Sequence, residues 1–220
     1  MAPDIMKVAV VGSGRIGTIL AQALGDAGHQ VWLSNSRGPQ TLALTMTHMA
    51  DSVTAATVKD AVEHADVVFL AIPFGGFSRL PYRSFGDRVI VDVSNYYPGR
   101  DGAFPYIDDG SQTSSEVIAA YIGPGPRVVK TLNHIHWRSL QVEPAPPGPG
   151  RRALAVAGDD DASKRLVIGL LDSIGFDGVD AGPLSASGVM GPGGPLYGPR
   201  FDSAAMAAAL AAGPGRGEGR

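Results

Sequence analysis

Two patterns in the sequence predict an α/β fold built on a doubly wound, mostly parallel sheet with a smaller C-terminal part. Short, continuously apolar segments alternate with amphipathic segments of helical period, which is typical of parallel strands covered by helices on both faces. A glycine-rich turn joins the first apolar segment to the first helical one. In such a sheet, the loops at the carboxyl ends of the strands are the expected ligand site.

The first elements follow from local periodicity and from glycines. Residues 7–11 are apolar after Lys7 and are followed by glycine, which predicts a strand in the centre of the sheet. Apolar side chains from Ile16 to Leu24 recur at three- and four-residue steps and predict a helix of about three turns, which Gly28 ends. Residues 31–33 predict a second strand and residues 42–50 a second helix.

The middle of the chain continues the alternation. Strands are predicted at residues 53–54, 67–72, 89–92 and 128–129. Thr57 is the predicted cap of a helix that runs through Glu63, and a further helix at residues 115–122 precedes the last of these strands.

The C-terminal third is predicted to form a smaller unit. Residues 144–150 are nearly all Pro and Gly and predict a connection between a domain at residues 1–143 and a part at residues 151–212. That part is predicted to contain a strand at residues 154–157, a helix capped by Asp161 or Ser163, a short strand at residues 178–179 and an Ala-rich helix at residues 203–212. Residues 188–199 are interpreted as either a mobile lid or a surface excursion, and residues 213–220 as a flexible tail.

The composition excludes several functional classes. The 220 residues carry 18 Lys and Arg against 21 Asp and Glu, a formal net charge of −3, and the basic residues are scattered singly. We therefore expect neither nucleic acid nor a membrane surface as a partner, and no apolar run has the length of a membrane span or a signal peptide. Because the chain has no cysteine, disulfides, thiolate nucleophiles and thiolate-held metals are excluded. We expect a cytoplasmic protein that binds small molecules; the Ala-rich helix either mediates a homodimer or folds back on its own subunit.

The glycine-rich turn has the spacing G-x-G-x-x-G and stands between the first strand and the first helix. It consists of Gly12, Ser13, Gly14, Arg15, Ile16 and Gly17. In this context the glycines allow a tight turn and a close approach of the backbone to a pyrophosphate, and the helix N-terminus offers unpaired N–H groups. The sequence therefore predicts a Rossmann-type dinucleotide-binding domain, with a plain Gly-rich turn as the alternative.

The end of the second strand predicts which dinucleotide is bound. An acidic residue about 20 positions after the loop would bind the free ribose hydroxyls of NAD. This chain has no carboxylate there and carries Ser34, Asn35, Ser36 and Arg37 instead. Arg37 can make charge-assisted hydrogen bonds to a 2′-phosphate, with the neighbouring hydroxyl and amide groups completing the shell. NADP(H) is therefore the predicted cofactor, and a solvated surface arginine is the alternative.

Six segments, in this order and spacing, resemble the coenzyme F420-dependent NADP reductase family. They are residues 12–17, 36–37, 71–73, 129–132, 156–160 and 180–184. Residues 91–95 also resemble the cytosolic reductase domains of six-transmembrane ferric reductases. The resemblance covers about residues 6–184 and implies hydride transfer between NADPH and an 8-hydroxy-5-deazaflavin.

The resemblance also implies roles for the residues that carry it. Ser36 and Arg37 match the family's 2′-phosphate clamp. The family's turn beside the nicotinamide ribose is matched by Ala71, Ile72, Pro73 and Phe74. Residues 132–135 match the segment whose family counterpart contacts the deazaflavin.

The chain departs from the family on the acceptor side. Asn133 and His134 stand where the family archetype has histidine and threonine, His136 replaces a proline, and Phe74 replaces a tryptophan. The implied NADP site is therefore affected less than the implied acceptor.

Candidate catalytic residues follow the sixth predicted strand. Hydride transfer needs little from side chains because the cofactor carries the chemistry. Asn133, His134 and His136 are candidates for orienting the acceptor or protonating one of its ring nitrogens; the alternative is that both histidines are ordinary polar groups bonded to loop carbonyls. Ser94, Asn95, Tyr96 and Tyr97 end the fifth strand and are predicted to line the cofactor cleft; the alternative is that the two tyrosines pack under the following loop. No metal site is predicted, because no third ligand lies near the two histidines in the sequence.

The expected function is that of an NADPH-dependent oxidoreductase, which passes hydride between NADP(H) and a deazaflavin (coenzyme F420) or a flavin-like acceptor. Two alternatives stay open. One is a non-catalytic NADP(H)-binding sensor or scaffold protein, because the glycine loop and Arg37 serve binding alone. The other is a reductase of a small carbonyl or imine substrate, for which residues 188–199 would be a lid.

Overall fold

A computed structural model describes residues 5–213 as an eight-stranded sheet with helices on both faces. The strands are β1 (Lys7–Val11), β2 (Gln30–Ser34), β3 (Val53–Ala56), β4 (Val67–Leu70), β5 (Val89–Asp92), β6 (Arg127–Lys130), β7 (Ala153–Gly158) and β8 (Asp177–Asp180). Their order across the sheet is β3-β2-β1-β4-β5-β6-β7-β8. The predicted first strand is therefore central, as expected.

The strand directions agree with the predicted fold class. Strands β1 to β6 run parallel to one another, β7 is antiparallel to β6, and β8 is parallel to β7. A doubly wound, mostly parallel α/β sheet is thus confirmed. The C-terminal segment adds its two strands to the edge of this same sheet, beyond β6.

The helices between the strands largely occupy the predicted positions. They are α1 (Arg15–Asp26), α2 (Ala43–Met46), α3 (Val58–His64), α4 (Pro98–Asp101), α5 (Pro105–Asp108), α6 (Ser114–Ile122), α7 (Trp137–Val142), α8 (Asp161–Ser173) and α9 (Ser203–Ala212). Short 3-10 helices cover Pro39–Leu42, Phe74–Arg79, Tyr82–Ser84 and Leu184–Met190.

Two local predictions need correction. The helix expected at residues 42–50 is only one turn long, and none of the residues of α2 is fully buried. The cap of α8 is Asp160, whose carboxylate accepts hydrogen bonds from the backbone N–H and the hydroxyl of Ser163. The predicted caps Asp161 and Ser163 lie inside the helix. Thr57 caps α3 as predicted.

The core lies on both faces of the sheet. Successive residues of β1 point to opposite faces, so Val8 and Val10 pack with α1 and α8 while Ala9 and Val11 pack with α3 and α6. All four of these side chains are buried. This two-sided burial explains why β1 is continuously apolar.

The C-terminal elements are integrated into the same core. Leu154 and Val156 of β7 contact the cluster that contains α8, while Ala153, Ala155 and Ala157 lie under Met206 of α9. Helix α9 thus folds back onto the sheet of its own chain. Residues 144–150 form the predicted connection; of the predicted tail 213–220, residues 214–220 lie outside the described residues. Between residues 5 and 213, no helix has the length and apolar character needed to cross a membrane.

Candidate functional site

A groove runs along the carboxyl ends of β1, β2, β4, β5 and β6. It consists of two adjoining cavities. The first, of about 1200 Å³, extends from the glycine loop to Arg37, and we call it the Arg37 cavity. The second, of about 590 Å³, extends to Asn133 and is called the Asn133 cavity. Both are lined by Gly14, by residues 71–73 and by Arg100, so they form one continuous site.

The glycine loop forms the floor where the two cavities meet. Gly12 has φ +118°, and a Cβ there would lie 2.2 Å from the carbonyl oxygen of Ala71; a Cβ on Gly17 would lie 1.9 Å from the carbonyl oxygen of Gly12. Both positions therefore require glycine, because the loop passes directly over β4. A Cβ on Gly14 would meet no atom within 4 Å, since this residue faces the open groove.

Helix α1 begins at this loop with free donors. Its N-cap residue is Gly14, no side chain between residues 5 and 213 caps the first N–H groups, and its first turn contains no acidic residue. Gly12, Ser13 and Gly14 line the Arg37 cavity, and Arg15 and Ile16 line the Asn133 cavity. The helix N-terminus with its positive dipole end thus points at the middle of the groove.

The residues after β2 divide into structural and groove-facing groups. Ser34 is buried, and its hydroxyl donates to the carbonyl of Val10, so it does not line the groove. Asn35 orders the turn: its amide nitrogen donates to the hydroxyls of Ser13 and Thr41, and its Oδ1 accepts the backbone N–H of Arg37 at 2.8 Å. The predicted ligand role of Ser34 is therefore not supported by its position.

Ser36 and Arg37 are exposed at the end of the Arg37 cavity. Within the described part of the chain, the guanidinium of Arg37 has no hydrogen-bond or carboxylate partner. Two further arginines, Arg79 and Arg100, line the same cavity. Among residues 5–213, Asp101 is the one carboxylate in the lining, and both of its oxygens already accept hydrogen bonds from Arg100. The cavity is therefore electropositive.

Asp101 holds the two loops that border the groove. Besides its bonds to Arg100, it accepts the backbone N–H groups of Gly75 and Tyr97. Burial acts to raise the pKa of Asp101, but these hydrogen bonds outweigh it and hold the pKa below its ordinary value. The carboxylate thus stays charged and fixes the loops after β4 and β5 relative to each other.

In the Asn133 cavity, the side-chain amide and the backbone carbonyl of Asn133 both form hydrogen bonds to neighbouring segments. Its amide nitrogen donates to Oδ1 of Asn95 at 3.1 Å and to the carbonyl of Met190 at 2.7 Å, while Asn95 donates in turn to the carbonyl of Asn133. These bonds use both amide hydrogens of Asn133. The side chain therefore positions the segments around it and has no free proton to donate.

His134 is held in a single neutral form. The backbone N–H of Ala155 donates to Nε2 at 3.1 Å, so that nitrogen carries no proton and the ring proton lies on Nδ1, which faces Oδ1 of Asn133. Burial, together with the charges of Arg152 and Lys130, lowers the pKa of His134 to about 3. The geometry therefore does not support His134 as a proton donor at neutral pH.

His136 and Trp137 form the rim of the Asn133 cavity. His136 is exposed and caps α7, because its Nδ1 accepts the backbone N–H of Arg138. The centre of the Trp137 ring lies 4.8 Å from the guanidinium carbon of Arg15 and 5.2 Å from that of Arg138. This stacking links the start of α7 to the glycine loop.

A buried ion pair supports the cavity from below. Nζ of Lys130 lies 2.9 Å from a carboxylate oxygen of Asp92 and donates to the carbonyl of Ser94 at 2.6 Å. Ser115 donates to the same carboxylate, and the backbone N–H of Ser94 donates to its other oxygen. Ser94 is thus placed at the wall of the Asn133 cavity by charged partners.

Ala71, Ile72 and Pro73 line both cavities, but Phe74 lines neither. Its ring is fully buried and packs at 5.0 to 5.3 Å against Phe77, Phe104 and Tyr96. The expectation that Phe74 contacts the ligand is therefore corrected: the ring turns inward because the apolar side chains beneath this loop form an aromatic cluster.

Residues 188–199 are packed against the Asn133 cavity. Met190 and Leu196 are buried, and the backbone N–H of Gly198 donates to the carbonyl of His134. Tyr197 reaches across the cavity mouth, where its hydroxyl lies 2.6 Å from that of Tyr97. The segment forms a wall of the site, which neither of the two interpretations from the sequence had described.

Sequence reasoning missed several residues of the groove. They are Arg79, Arg100, Asp101, Trp137 and Tyr197. Arg79 and Tyr197 lie in segments whose local sequence carries no motif. Tyr97, which the sequence places at the cleft or under the following loop, lines the Asn133 cavity.

The N-terminal part of the chain matches a known family model. Residues 7–96 match the model described as NADP oxidoreductase, coenzyme F420-dependent. A comparison with curated proteins gives no match.

Solved structures extend the similarity along the chain. A hypothetical protein from Sinorhizobium meliloti is 33% identical, with a TM-score of 0.78 over 90% of this chain and 95% of that one. A candidate F420-dependent NADP reductase from Arthrobacter sp. FB24 is 28% identical, with a TM-score of 0.70 over 83% of this chain and 87% of that one. A 3-hydroxyisobutyrate dehydrogenase from Mycobacterium tuberculosis shares the fold at 18% identity and a TM-score of 0.59, over 83% of this chain and 56% of that one. Residues 7–96 are therefore identified as a domain of the coenzyme F420-dependent NADP oxidoreductase family, and the similarity to solved structures extends over most of the chain.

Proposed function

We propose that this oxidoreductase binds NADPH along the groove and passes its hydride to a deazaflavin, coenzyme F420, or to a flavin-like acceptor in the Asn133 cavity. The observation that carries the proposal is the electropositive Arg37 cavity next to an uncapped helix N-terminus. The similarity to the Arthrobacter protein, over 83% of this chain, supports the choice of acceptor.

In this proposal the glycine loop holds the pyrophosphate. No described side chain caps the backbone N–H groups at the start of α1, and Gly14 presents no Cβ that would keep phosphate oxygens away. A helix N-terminus of this kind stabilises an anion through both its N–H groups and its dipole.

The 2′-phosphate of NADPH is assigned to Ser36 and Arg37. The Arg37 guanidinium is exposed and unengaged within the described residues, and Asn35 orders the turn that presents it. Arg79 lines the same cavity and adds a second positive charge. In the part of the chain that the structure describes, no free carboxylate lines this cavity to repel a phosphate or to bind the ribose hydroxyls of NADH.

Bound NADPH would supply a hydride at its nicotinamide ring, and the chain positions the reactants. Asn95 and Asn133 hold the walls of the Asn133 cavity, while the ion pair of Lys130 and Asp92 fixes Ser94. His134 contributes as a neutral positioning group, and His136 remains a candidate for contact with the acceptor at the exposed rim.

The cofactor assignment predicts a discriminating effect of Arg37→Ala. We expect it to weaken NADPH binding by about tenfold or more, because the charge-assisted hydrogen bonds it removes are worth roughly 1.5–3 kcal/mol, and to change NADH binding less than about twofold. Calorimetric titration of both nucleotides measures the difference. Arg83→Ala is the matched control, since Arg83 is exposed but lines neither cavity.

Equal affinity of the unmodified protein for NADPH and NADH would contradict the assignment. The acceptor is tested by following NADPH oxidation with a deazaflavin, FMN, FAD, a quinone and a ferric chelate in turn. Turnover fastest with the deazaflavin is expected. NADPH binding without turnover on any of them would instead favour a binding-only protein.

A further inference from the structure

The Asn133 cavity contains a pair of tyrosine hydroxyls in direct contact. The hydroxyl oxygens of Tyr97 and Tyr197 are 2.6 Å apart, although the two residues are separated by 100 positions in the chain. Tyr97 lies in the loop after β5, and Tyr197 lies in the Gly/Pro-rich segment after Met190. Both side chains line the cavity.

Each member of the pair is held in place by its own loop. The backbone N–H of Tyr97 donates to Asp101, and the Arg100 guanidinium lies 4.9 Å from the centre of the Tyr97 ring. The backbone N–H of Tyr197 donates to the carbonyl of Gly194, and the next residue, Gly198, is bonded to His134. The hydroxyl contact therefore follows from fixed backbone positions on both sides.

Other polar groups of the cavity are poorly suited to release a proton. Asn133 uses both amide hydrogens for structure, and the proton of neutral His134 faces Asn133. Arg15 and Arg100 are guanidinium groups, which keep their protons in proteins. Apart from the tyrosine pair, the remaining titratable group in the described lining is His136, at the exposed rim.

From this geometry we propose that the Tyr97–Tyr197 pair is the proton donor to the reduced acceptor. The inference rests on the proposed oxidoreductase function. When hydride adds to a carbon of the acceptor, the displaced electron pair moves onto a conjugated ring nitrogen or oxygen, which needs a proton. Tyr97 gives its hydroxyl proton to that atom, Tyr197 stabilises the resulting phenolate by donating a hydrogen bond to it, and water then returns a proton to Tyr97.

The two hydroxyls differ in their surroundings, and we assign the proton transfer to Tyr97. The Arg100 guanidinium, which is paired with the carboxylate of Asp101, lies over the Tyr97 ring. Burial and the contact with Tyr97 raise the pKa of Tyr197 to about 12. Tyr197 therefore keeps its proton and remains a hydrogen-bond donor to the oxygen of Tyr97.

The test compares Tyr97→Phe and Tyr197→Phe with the unmodified full chain, using NADPH and a deazaflavin. We expect kcat to fall by about 10²-fold or more in Tyr97→Phe, with the NADPH dissociation constant changed less than about twofold. Added imidazolium or dihydrogen phosphate should partly restore the rate of this variant, because an external acid can replace a lost proton donor. Tyr106→Phe is the matched control, since Tyr106 is exposed and lies outside both cavities.

A measurement that needs no turnover checks the pair itself. In ¹³C NMR of ring-labelled tyrosine, Tyr197 should titrate with a pKa of about 12, and this value should fall towards that of free tyrosine in Tyr97→Phe. An ordinary pKa of Tyr197 in the unmodified protein would overturn the inference.

The kinetic outcomes separate this inference from the proposed function. Turnover in the unmodified protein with an unchanged kcat in Tyr97→Phe would overturn the proton-donor role and leave the oxidoreductase function standing. The same holds if His136→Gln, and not Tyr97→Phe, abolishes the rate and is rescued by external acid. Absence of turnover in the unmodified protein with every acceptor would overturn both.

Discussion

The imidazole of His134 is kept neutral by burial and by a hydrogen bond from β7, a strand that is distant in the sequence. Its Nε2 accepts the backbone N–H of Ala155, which the sequence places 21 positions away across a Pro/Gly connection. Local sequence predicts that a histidine follows β6, but it does not predict that β7 turns back antiparallel and covers the ring. The charge of a titratable residue depends on such contacts because burial penalises its charged form.

A pH dependence of stability follows from this neutral histidine. An unfolded histidine has a pKa near 6.5, whereas that of His134 in the fold is about 3, so only the unfolded state gains a proton between these values. The contribution of His134 to stability is complete above pH 6.5 and is lost progressively as the pH falls towards 3. We expect the free energy of unfolding to drop by roughly 2 kcal/mol between pH 6.5 and pH 5 from this residue, at about 1.36 kcal/mol per pH unit.

Urea unfolding at several pH values measures this loss. Burial also lowers the pKa of His29, which acts in the same direction. The slope should be smaller in His134→Gln and unchanged in His48→Gln, because His48 is exposed. A stability of the unmodified protein that is constant from pH 7 to pH 5 would contradict the assignment of a buried neutral ring.

Among the elements, the Gly/Pro-rich segment at residues 188–199 differs most from its sequence-based interpretation. High glycine and proline content indicates irregular backbone, but it does not indicate whether that backbone is packed. The structure shows that this backbone is packed, because Met190 and Leu196 are both buried against the alanines of β7. The segment is therefore irregular in its backbone but contributes buried side chains to the core.

The packing of this segment predicts a cost for removing its buried side chains. Leu196→Ala should reduce the free energy of unfolding by about 2–5 kcal/mol, since Leu196 is 1% exposed and the substitution leaves a cavity. Val142→Ala is the control and should cost less than about 0.5 kcal/mol, because Val142 is 73% exposed. Urea unfolding checks both values; a loss below about 1 kcal/mol for Leu196→Ala would indicate a loosely attached lid.

At the level of the whole molecule, the division into residues 1–143 and 151–212 remains a prediction. The connection at residues 144–150 has the composition expected of a linker. On the other hand, β7 pairs with β6 in the same sheet, and Val167, Leu170 and Leu171 of α8 belong to the same apolar cluster as β1 and α1. Because the two segments share a sheet and a core, we expect one cooperative unit.

This expectation is tested by unfolding the full chain and a fragment that ends at residue 143. The full chain should unfold in a single transition with the same midpoint by circular dichroism and by tryptophan fluorescence. The fragment should show no cooperative transition, because it exposes the edge of β6 and the apolar surface that α8 covers. A fragment that unfolds cooperatively would instead establish the first 143 residues as an independent domain.

Much of the fold could be inferred from short stretches of sequence, because strands, helices and tight turns depend on residues close together in the chain. The apolar run of β1, the spacing of Gly12 to Gly17 and the lack of a carboxylate before Arg37 are all local features. These local features are enough to predict the parallel sheet and the family resemblance, and both predictions are confirmed. They also indicate a dinucleotide-binding loop, which stays a prediction.

The acceptor side depends on contacts between distant residues. Four of its features arise where segments distant in the sequence come into contact. They are the pairing of Tyr97 with Tyr197, the position of Arg79 in the Arg37 cavity, the inward orientation of Phe74 and the neutral ring of His134. No periodicity or motif in the sequence predicts these contacts, because they depend on how the whole sheet packs and on which polar groups that packing buries.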